Sequence, residues 1–289
     1  MKHSAGPRTA PPPSSCDCHI HVFDSTAPAS TPQWATAAAY REVSRRLGID
    51  RVVLVQPNGL RTDNSILVAA LAELSPSARG VAIVDASVSD GELARLTAAG
   101  VRGARFHMLP GGMFSWEDLQ PIAARVAPFG WHVQLQMDGR HFHEREAELM
   151  RLPAPLVIDH VGKFLEPVPV SHPGFLALLR LLDTGRCWLK LSAPYEVSRE
   201  GPPHYGDVGV LAKAAAKAAP QRMLWGSNWP HLSLKTGLPD DAMLLDLLSE
   251  WIPDERARRT VLVDNPIEVY GFSPAPSGDR NPRDAAGTP

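Results

Sequence analysis

The sequence predicts an α/β fold, a single (β/α)8 barrel over residues 16–272. Short apolar, β-branched runs alternate with longer helix-compatible stretches, which is typical of parallel sheets. Eight such units follow one another without a Pro/Gly/Ser-rich linker, so one domain is favoured. An open doubly wound sheet usually carries a glycine-rich nucleotide loop after its first strand, whereas this first strand runs into HIHVFD.

The strands are predicted where short runs are rich in Val, Leu and Ile. In chain order they cover residues 15–22, 51–57, 80–85, 103–108, 132–137, 156–160, 187–193 and 222–228. The helices are predicted where longer stretches end at Gly or run into Pro, as helix termini often do. They cover residues 36–48, 64–74, 90–100, 116–130, 143–152, 173–185 and 207–220, and one more follows the last strand over 240–252.

Both ends of the chain are rich in small and polar residues. Residues 1–15 and 273–289 are expected to be a disordered arm and tail outside the fold. The first residues include basic side chains, but no apolar stretch follows them, so a secretory signal is not predicted. No apolar run approaches the ~18 residues of a membrane span.

Composition favours a small-molecule partner. The net charge of -2, from 29 basic and 31 acidic residues, argues against nucleic-acid or membrane-surface binding. Three cysteines, two of them separated by one residue, make a poor disulfide framework and favour the cytoplasm. Cys16 and Cys18 could form a soft metal pair, but plain buried thiols are favoured. The oligomeric state is left open.

Polar side chains end most of the predicted strands, and in a barrel they would converge on one mouth. His19 and His21 are two apart on a strand, so both imidazoles would face the interior. Such a pair can bind a metal, polarise a carbonyl or shuttle protons, and the alternative is a hydrogen-bonded pair without chemistry. His160, at the end of the sixth strand, could join them.

Arg105 would point inward at the mouth. A buried guanidinium needs an anion, which is either an internal carboxylate such as Asp85 or Asp159 or a carboxylate of the substrate. Other polar residues could supply hydrogen bonds to a polar ligand, or could equally belong to loop architecture. These candidates are Gln56, Gln136, Ser192, Tyr195 and His231.

Several motifs together resemble the lactone-acting branch of the amidohydrolase superfamily. They are the His19-x-His21 pair, GVRGARF, WHVQLQMDG, LVIDHVGKF and WGSNWPH, and the resemblance covers almost the whole core. It implies a distorted barrel with His19, His21 and His160 in the active site. In the pyrone-lactonase pattern an aspartate on the eighth strand activates water and no metal is required, but Asn228 stands at that position here.

The chain is intermediate between two patterns of this branch. The pyrone-lactonase pattern has arginines after the fourth strand, where this sequence reads MLPGGMF, and this argues against a pyrone dicarboxylate. The galactarolactone-isomerase pattern is similar in LPGG, in the stretch around Gln136, in Tyr195–Arg199 and in the asparagine of the eighth strand. That pattern, however, lacks the His-x-His pair.

An amide cannot accept a proton from water, so Asn228 is expected to orient a nucleophile. The three imidazoles would stabilise the oxyanion of a tetrahedral intermediate, and Arg105 would hold a substrate carboxylate. His231 or His160 would accept the proton in a hydrolysis. No cofactor is expected, and if zinc binds, its ligands would be His19, His21 and His160.

Three hypotheses follow from these residues. The first is a hydrolase that opens a carboxylated lactone from sugar-acid or aromatic catabolism. The second is a lactone isomerase, in which a hydroxyl group of the substrate is the nucleophile and its tethering lessens the need for a base. The third is a barrel without activity that binds an acidic ligand.

Overall fold

The computed structural model describes residues 6–274, and they form a barrel of eight parallel strands. The strands are β1 (Cys16–Ile20), β2 (Arg51–Val55), β3 (Ala78–Ala82), β4 (Val101–His107), β5 (His132–Gln136), β6 (Leu156–Ile158), β7 (Cys187–Ser192) and β8 (Met223–Gly226). Neighbours in the chain are neighbours in the sheet from β1 to β8. The predicted (β/α)8 architecture is therefore confirmed.

Ten α-helices are described. They are α1 (Ala37–Leu47), α2 (Ser65–Leu74), α3 (Asp90–Ala98), α4 (Trp116–Val126), α5 (Phe142–Met150), α6 (Pro173–Asp183), α7 (Gly206–Ala218), α8 (Asp241–Trp251), α9 (Glu255–Arg259) and α10 (Asn265–Tyr270). The first helix shows why the termini were predictable: the Thr36 hydroxyl caps its first turn, and Gly48 ends it in the left-handed conformation. The sequence did not predict α9 and α10, which a π-helical turn over Thr260–Asp264 joins.

The third strand differs from its prediction. It was expected over 80–85 but runs over Ala78–Ala82, where it pairs with β2 from Val52 to Val55. The main-chain N–H of Ile83 donates to the side chain of Asn64 at 3.1 Å. The chain leaves the sheet at this point because a side chain has replaced the next strand as hydrogen-bond partner.

The barrel closes between β1 and β8. Ile20 and Trp229 form an isolated parallel bridge, and two main-chain bonds flank it: Asn228 donates to His19 at 2.9 Å, and His21 donates to Trp229 at 2.8 Å. A Cβ atom at Gly226 would lie 2.7 Å from the Cβ of His19. The two strands can therefore approach only because residue 226 has no side chain.

The core has an inner and an outer part. Inside the barrel lies a cluster that contains Cys16, Cys18, Val53, Trp188 and Tyr270. A larger cluster fills the layer between the strands and the helices. All three cysteines are buried free thiols. The inner cluster fills the barrel, so the polar residues at the strand ends lie directly above a packed apolar layer.

Of the arm predicted over residues 1–15, the structure describes 6–15. The Arg8 amide donates to Asp246 on α8 at 2.8 Å, and the buried Ser15 donates through its hydroxyl to the carbonyl of Pro12. Residues 1–5, and the predicted tail from 275 onward, lie outside the described residues. Within 6–274, no helix combines the length and the apolar character that crossing a bilayer requires.

Candidate active site

A cavity of about 370 Å³ opens at the carboxyl ends of the strands. Its volume falls within the usual range for small-molecule sites. Phe23, Pro32, Pro57 and Leu232 supply apolar wall. The functional side chains that line it are His21, Arg105, His107, Gln136, His160, Glu196 and Asn228. The predicted convergence of strand ends on one mouth is therefore present.

Several residues at this mouth have left-handed backbone conformations. The φ angle is 56° at His160, 63° at Asn228, 65° at His231 and 47° at Ala193. Such conformations cost non-glycine residues about 1–3 kcal/mol each and persist only where the surrounding structure enforces them. They turn the chain sharply just after β6, β7 and β8. His160 and Asn228 reach the cavity from two of these turns.

The two histidines of β1 are both directed inward, as their spacing predicted, but they are not equivalent. Their ring centroids are 5.0 Å apart. The Nδ1 of His21 is 2.8 Å from the carbonyl oxygen of Val55, so Nδ1 carries the proton and Nε2 is an acceptor. His19 is fully buried and does not line the cavity. Burial lowers the pKa of His19 to about 3 and holds the pKa of His21 well below its usual value, with Arg105 adding to the effect at His21.

His160 completes the group of imidazoles. Its ring centroid is 4.8 Å from that of His19, and its Nδ1 is 2.9 Å from the hydroxyl oxygen of Ser192. Burial lowers the pKa of His160 to about 4. The structure therefore brings all three imidazoles together in their neutral form at neutral pH. As neutral rings they can donate or accept hydrogen bonds without carrying charge.

A buried ion pair lies beside these rings. The Lys190 Nζ is 3.4 Å from Asp159 Oδ1, and both side chains are fully buried. Gln134 links them, because its Oε1 accepts from Lys190 at 2.7 Å and its Nε2 donates to Asp159 Oδ2 at 3.1 Å. Burial raises the pKa of Asp159, but Lys190, His19 and His160 together outweigh burial, and the net pKa is well below the usual value. The sequence suggested Asp159 as a partner of Arg105 and gave no sign of its pairing with Lys190.

Arg105 is a buried cation without a carboxylate partner. Its Nη1 donates to the main-chain carbonyl of Gln56 at 2.7 Å, and its Nη2 donates to Gln136 Oε1 at 3.4 Å. Within residues 6–274 no carboxylate oxygen lies within 4 Å of this guanidinium, and its Nε has no hydrogen-bond partner. The predicted internal partners are engaged elsewhere, Asp85 with Ser87 and Asp159 with Lys190. Of the two partners considered for Arg105 from the sequence, the carboxylate of a ligand is therefore the one that remains.

The amide of Asn228 has a fixed orientation. Its Nδ2 donates to the hydroxyl oxygen of Tyr195 at 2.9 Å and to Glu196 Oε1 at 3.3 Å. A carboxylate only accepts hydrogen bonds, so the NH₂ group must face Glu196. Behind this amide, Tyr195 is 2.9 Å from His231 Nδ1, and His231 Nε2 lies 3.1 Å from Asp241 Oδ1. Both amide hydrogens are thus used by the protein, and the amide oxygen is left as an acceptor.

Glu196 is the carboxylate that sequence reasoning missed. It lines the cavity beside Asn228 and forms an ion pair with Lys163. Burial raises its pKa, but His160 and Lys163 outweigh burial and lower it to about 2. Glu196 is therefore ionised, paired and weakly basic. The signal in the sequence was a glutamate directly after Tyr195, three residues beyond the seventh strand.

Four predicted ligand-binding residues lie behind the cavity wall instead. Gln56, Ser192, Tyr195 and His231 do not line the cavity. The Gln56 side chain donates to the main-chain carbonyls of Arg61 and Asp63 and so holds the loop after β2. The main-chain carbonyl of Gln56 accepts from Arg105. The Ser192 hydroxyl is hydrogen-bonded to His160. The Tyr195 hydroxyl accepts from the Asn228 amide and is itself hydrogen-bonded to His231. Gln136 and Arg105 line the cavity as predicted.

Comparison with known proteins gives consistent results. The amidohydrolase family profile matches residues 16–272. D-galactarolactone isomerase of Agrobacterium fabrum is 39% identical over 237 residues, which cover 81% of each chain. The 2-pyrone-4,6-dicarboxylate hydrolase of Comamonas testosteroni is 34% identical, with 90% of each chain covered. An apo crystal structure from Agrobacterium tumefaciens superposes with a TM-score of 0.90 and 35% identity, covering 94% of this chain and 99% of the other.

Proposed function

This chain belongs to the amidohydrolase family, and from that premise we propose that it is an enzyme acting on a carboxylated lactone. The observation that carries the proposal is the Arg105 guanidinium, which is buried at the cavity beside His21 and His160 and forms no ion pair with a carboxylate among residues 6–274. A buried unpaired charge is costly, so the site is built to receive a carboxylate. The names of two relatives supply the class of the reacting group, a cyclic ester.

A sugar-acid lactone fits the cavity better than a pyrone dicarboxylate. Arg105 offers one bidentate carboxylate site, and the stretch after β4, MLPGGMF, contains no second arginine. Polar groups along the wall, such as Gln136, His107 and Asn228, suit the hydroxyl groups of a sugar acid. The proposed role is therefore in sugar-acid catabolism, and the buried free thiols support our proposal of a cytoplasmic enzyme.

The reaction that the geometry supports best is lactone isomerisation. A hydroxyl of the substrate attacks the ester carbonyl, and His160, whose Nδ1 is held by Ser192, donates through Nε2 to the oxyanion. The old ring C–O bond breaks when this tetrahedral intermediate collapses. The proton of the attacking hydroxyl passes to the departing oxygen, so the atoms balance without water. Asn228 orients the attacking hydroxyl by accepting its hydrogen bond. Neither Asn228 nor Glu196, whose pKa is about 2, is a strong base for activating water.

Hydrolysis is the second candidate, and the His19–His21 pair favours it. The pair matches the pattern of the pyrone lactonases, and the neutral Nε2 of His21 is an acceptor at the cavity. Water would then replace the substrate hydroxyl as nucleophile, and the product would be the open-chain acid. In this reaction one oxygen atom of the product comes from solvent.

Zinc does not fit the donor set that the structure brings together. Donor atoms of His19, Asp159 and His160 lie within 4.8 Å of one another, so the cluster contains Asp159 in place of the predicted His21. The Lys190 ammonium already contacts Asp159 and His19 from 3.4 and 3.3 Å. We therefore route no step through a metal.

The test is to incubate the protein with galactarolactone and with 2-pyrone-4,6-dicarboxylate in H₂¹⁸O and to follow both by NMR and mass spectrometry. Isomerisation predicts a changed ring size without ¹⁸O, and hydrolysis predicts an open-chain acid with one ¹⁸O. Arg105→Met is the control variant and should lose turnover of either substrate. Binding without turnover across a panel of carboxylated lactones would refute the proposal and support the inactive binding barrel.

A further inference from the structure

We propose that Lys190 is a resident cation of the active site, whose ammonium group takes the place of a metal ion beside His19, Asp159 and His160. This proposal does not depend on which lactone the enzyme takes. It assigns Lys190 as a positioning residue, because the side chain lies behind the cavity and acts through His19 and Asp159.

Lys190 is surrounded by buried polar groups. Its Nζ is 2.7 Å from Gln134 Oε1, 3.3 Å from His19 Nδ1 and 3.4 Å from Asp159 Oδ1. The ammonium donates to Gln134, forms an ion pair with Asp159 and contacts the His19 ring. Gln134 also donates to Asp159 and closes a ring of buried polar contacts. The site is therefore already supplied with a positive charge and with polar partners for that charge.

A divalent cation would compete with this ammonium for the same atoms. Zinc ligands stand about 2.0–2.2 Å from the ion. A zinc ion held by Asp159 Oδ1 would thus lie within about 5.6 Å of the Lys190 Nζ, at a point where both protein side chains are fully buried. The carboxylate cannot serve both cations fully. Lys190 therefore opposes metal binding at a cluster whose donor atoms are otherwise close enough to hold an ion.

His19 Nδ1 lies 3.3 Å from both the Lys190 Nζ and Asp159 Oδ1. A neutral imidazole at this position can accept from the ammonium or donate to the carboxylate. In either tautomer His19 belongs to the buried polar group around Lys190.

The experiment measures metal uptake by untagged protein that has been dialysed against a chelator. Lys190→Met is compared with Lys163→Met, which removes a lysine from the other ion pair of the site, with Glu196. After incubation with Zn²⁺ and gel filtration, we expect one zinc per chain in Lys190→Met and at least tenfold less in the wild type and in Lys163→Met. Zn²⁺ should raise the Tm of Lys190→Met alone, since the ion replaces the missing positive charge.

Stoichiometric zinc in the wild type, or a folded Lys190→Met that takes up none, would overturn the proposal. Should Lys190→Met fail to fold, Lys190→Gln keeps a donor for Gln134 and is tested in the same way.

Discussion

Replacing Asn228 by aspartate would put a second carboxylate beside Glu196. The Nδ2 of Asn228, whose place an oxygen would take, lies 3.3 Å from Glu196 Oε1. At an effective dielectric constant of about 20, two unit charges at that separation repel by about 5 kcal/mol, equivalent to about 3.7 pKa units. The Lys163 ammonium, which pairs with Glu196, offsets part of this repulsion. We therefore expect the pKa of the new carboxyl to lie between about 4 and about 7.

A carboxylate at position 228 can act as the general base that the amide cannot provide. General bases contribute about 10²–10⁴-fold to rates, so hydrolysis by Asn228→Asp should exceed that of the wild type by at least about 100-fold. Acid release in a pH-stat between pH 4.5 and 9, with ¹⁸O incorporation, measures this gain. Hydrolysis should increase with pH, because only the ionised carboxylate is a base.

The double variant Asn228→Asp/Glu196→Gln tests the electrostatic step. Removing the charge of Glu196 removes the repulsion, so the midpoint of the pH profile should fall by about one pH unit or more. A midpoint that stays in place would refute the assigned contact between positions 196 and 228. No gain in hydrolysis at any pH would refute the role given to Asn228.

Three further predictions concern anchoring, orientation and acid stability. Arg105→Lys keeps the charge but loses the planar fork, so KM for a carboxylated lactone should rise about 10–100-fold while an uncharged lactone is unaffected; equal effects on both would contradict carboxylate anchoring. Tyr195→Phe removes one acceptor of the Asn228 amide, so kcat should fall about tenfold with little change in KM, and a change confined to KM would argue against orientation. Burial lowers the pKa of His19 to about 3 and of His160 to about 4, so below pH 6.5 the unfolded chain binds more protons than the native one. Stability should therefore fall as the pH drops from about 6.5 to 4, by up to about 1.4 kcal/mol per pH unit for each histidine, and urea midpoints that do not change between pH 7 and pH 5 would contradict it.

The barrel was predictable because local composition marks its strands. A parallel barrel strand is buried on both faces, by the barrel interior and by the helices, and is therefore largely apolar along its length. The end of β3 was not predictable, because the main-chain N–H of Ile83 donates to the side chain of Asn64, which is distant in sequence. The spacing of His19 and His21 showed that both point inward, but period-two alternation carries no information about depth. The structure puts His19 below the cavity and His21 at its wall.

The charged contacts of the site were harder to predict. Lys190 and Asp159 are on different strands, and their pairing depends on the register between β6 and β7, which joins Ile158 to Leu189. Glu196 lies in the loop after β7, where no periodicity indicates direction. Its partner Lys163 has a left-handed backbone that sequence patterns do not reveal. Single residue types were visible in the sequence, whereas their partners depended on three-dimensional register.

The junction of the first and last strands has a mechanical consequence. Every other pair of neighbouring strands shares a ladder of main-chain hydrogen bonds. Between β1 and β8, one bridge and two flanking main-chain hydrogen bonds close the barrel. His19 and His21 lie on the β1 side of this junction, and Asn228 lies on the β8 side. These three main-chain contacts therefore fix the distance between the two imidazole rings and the amide.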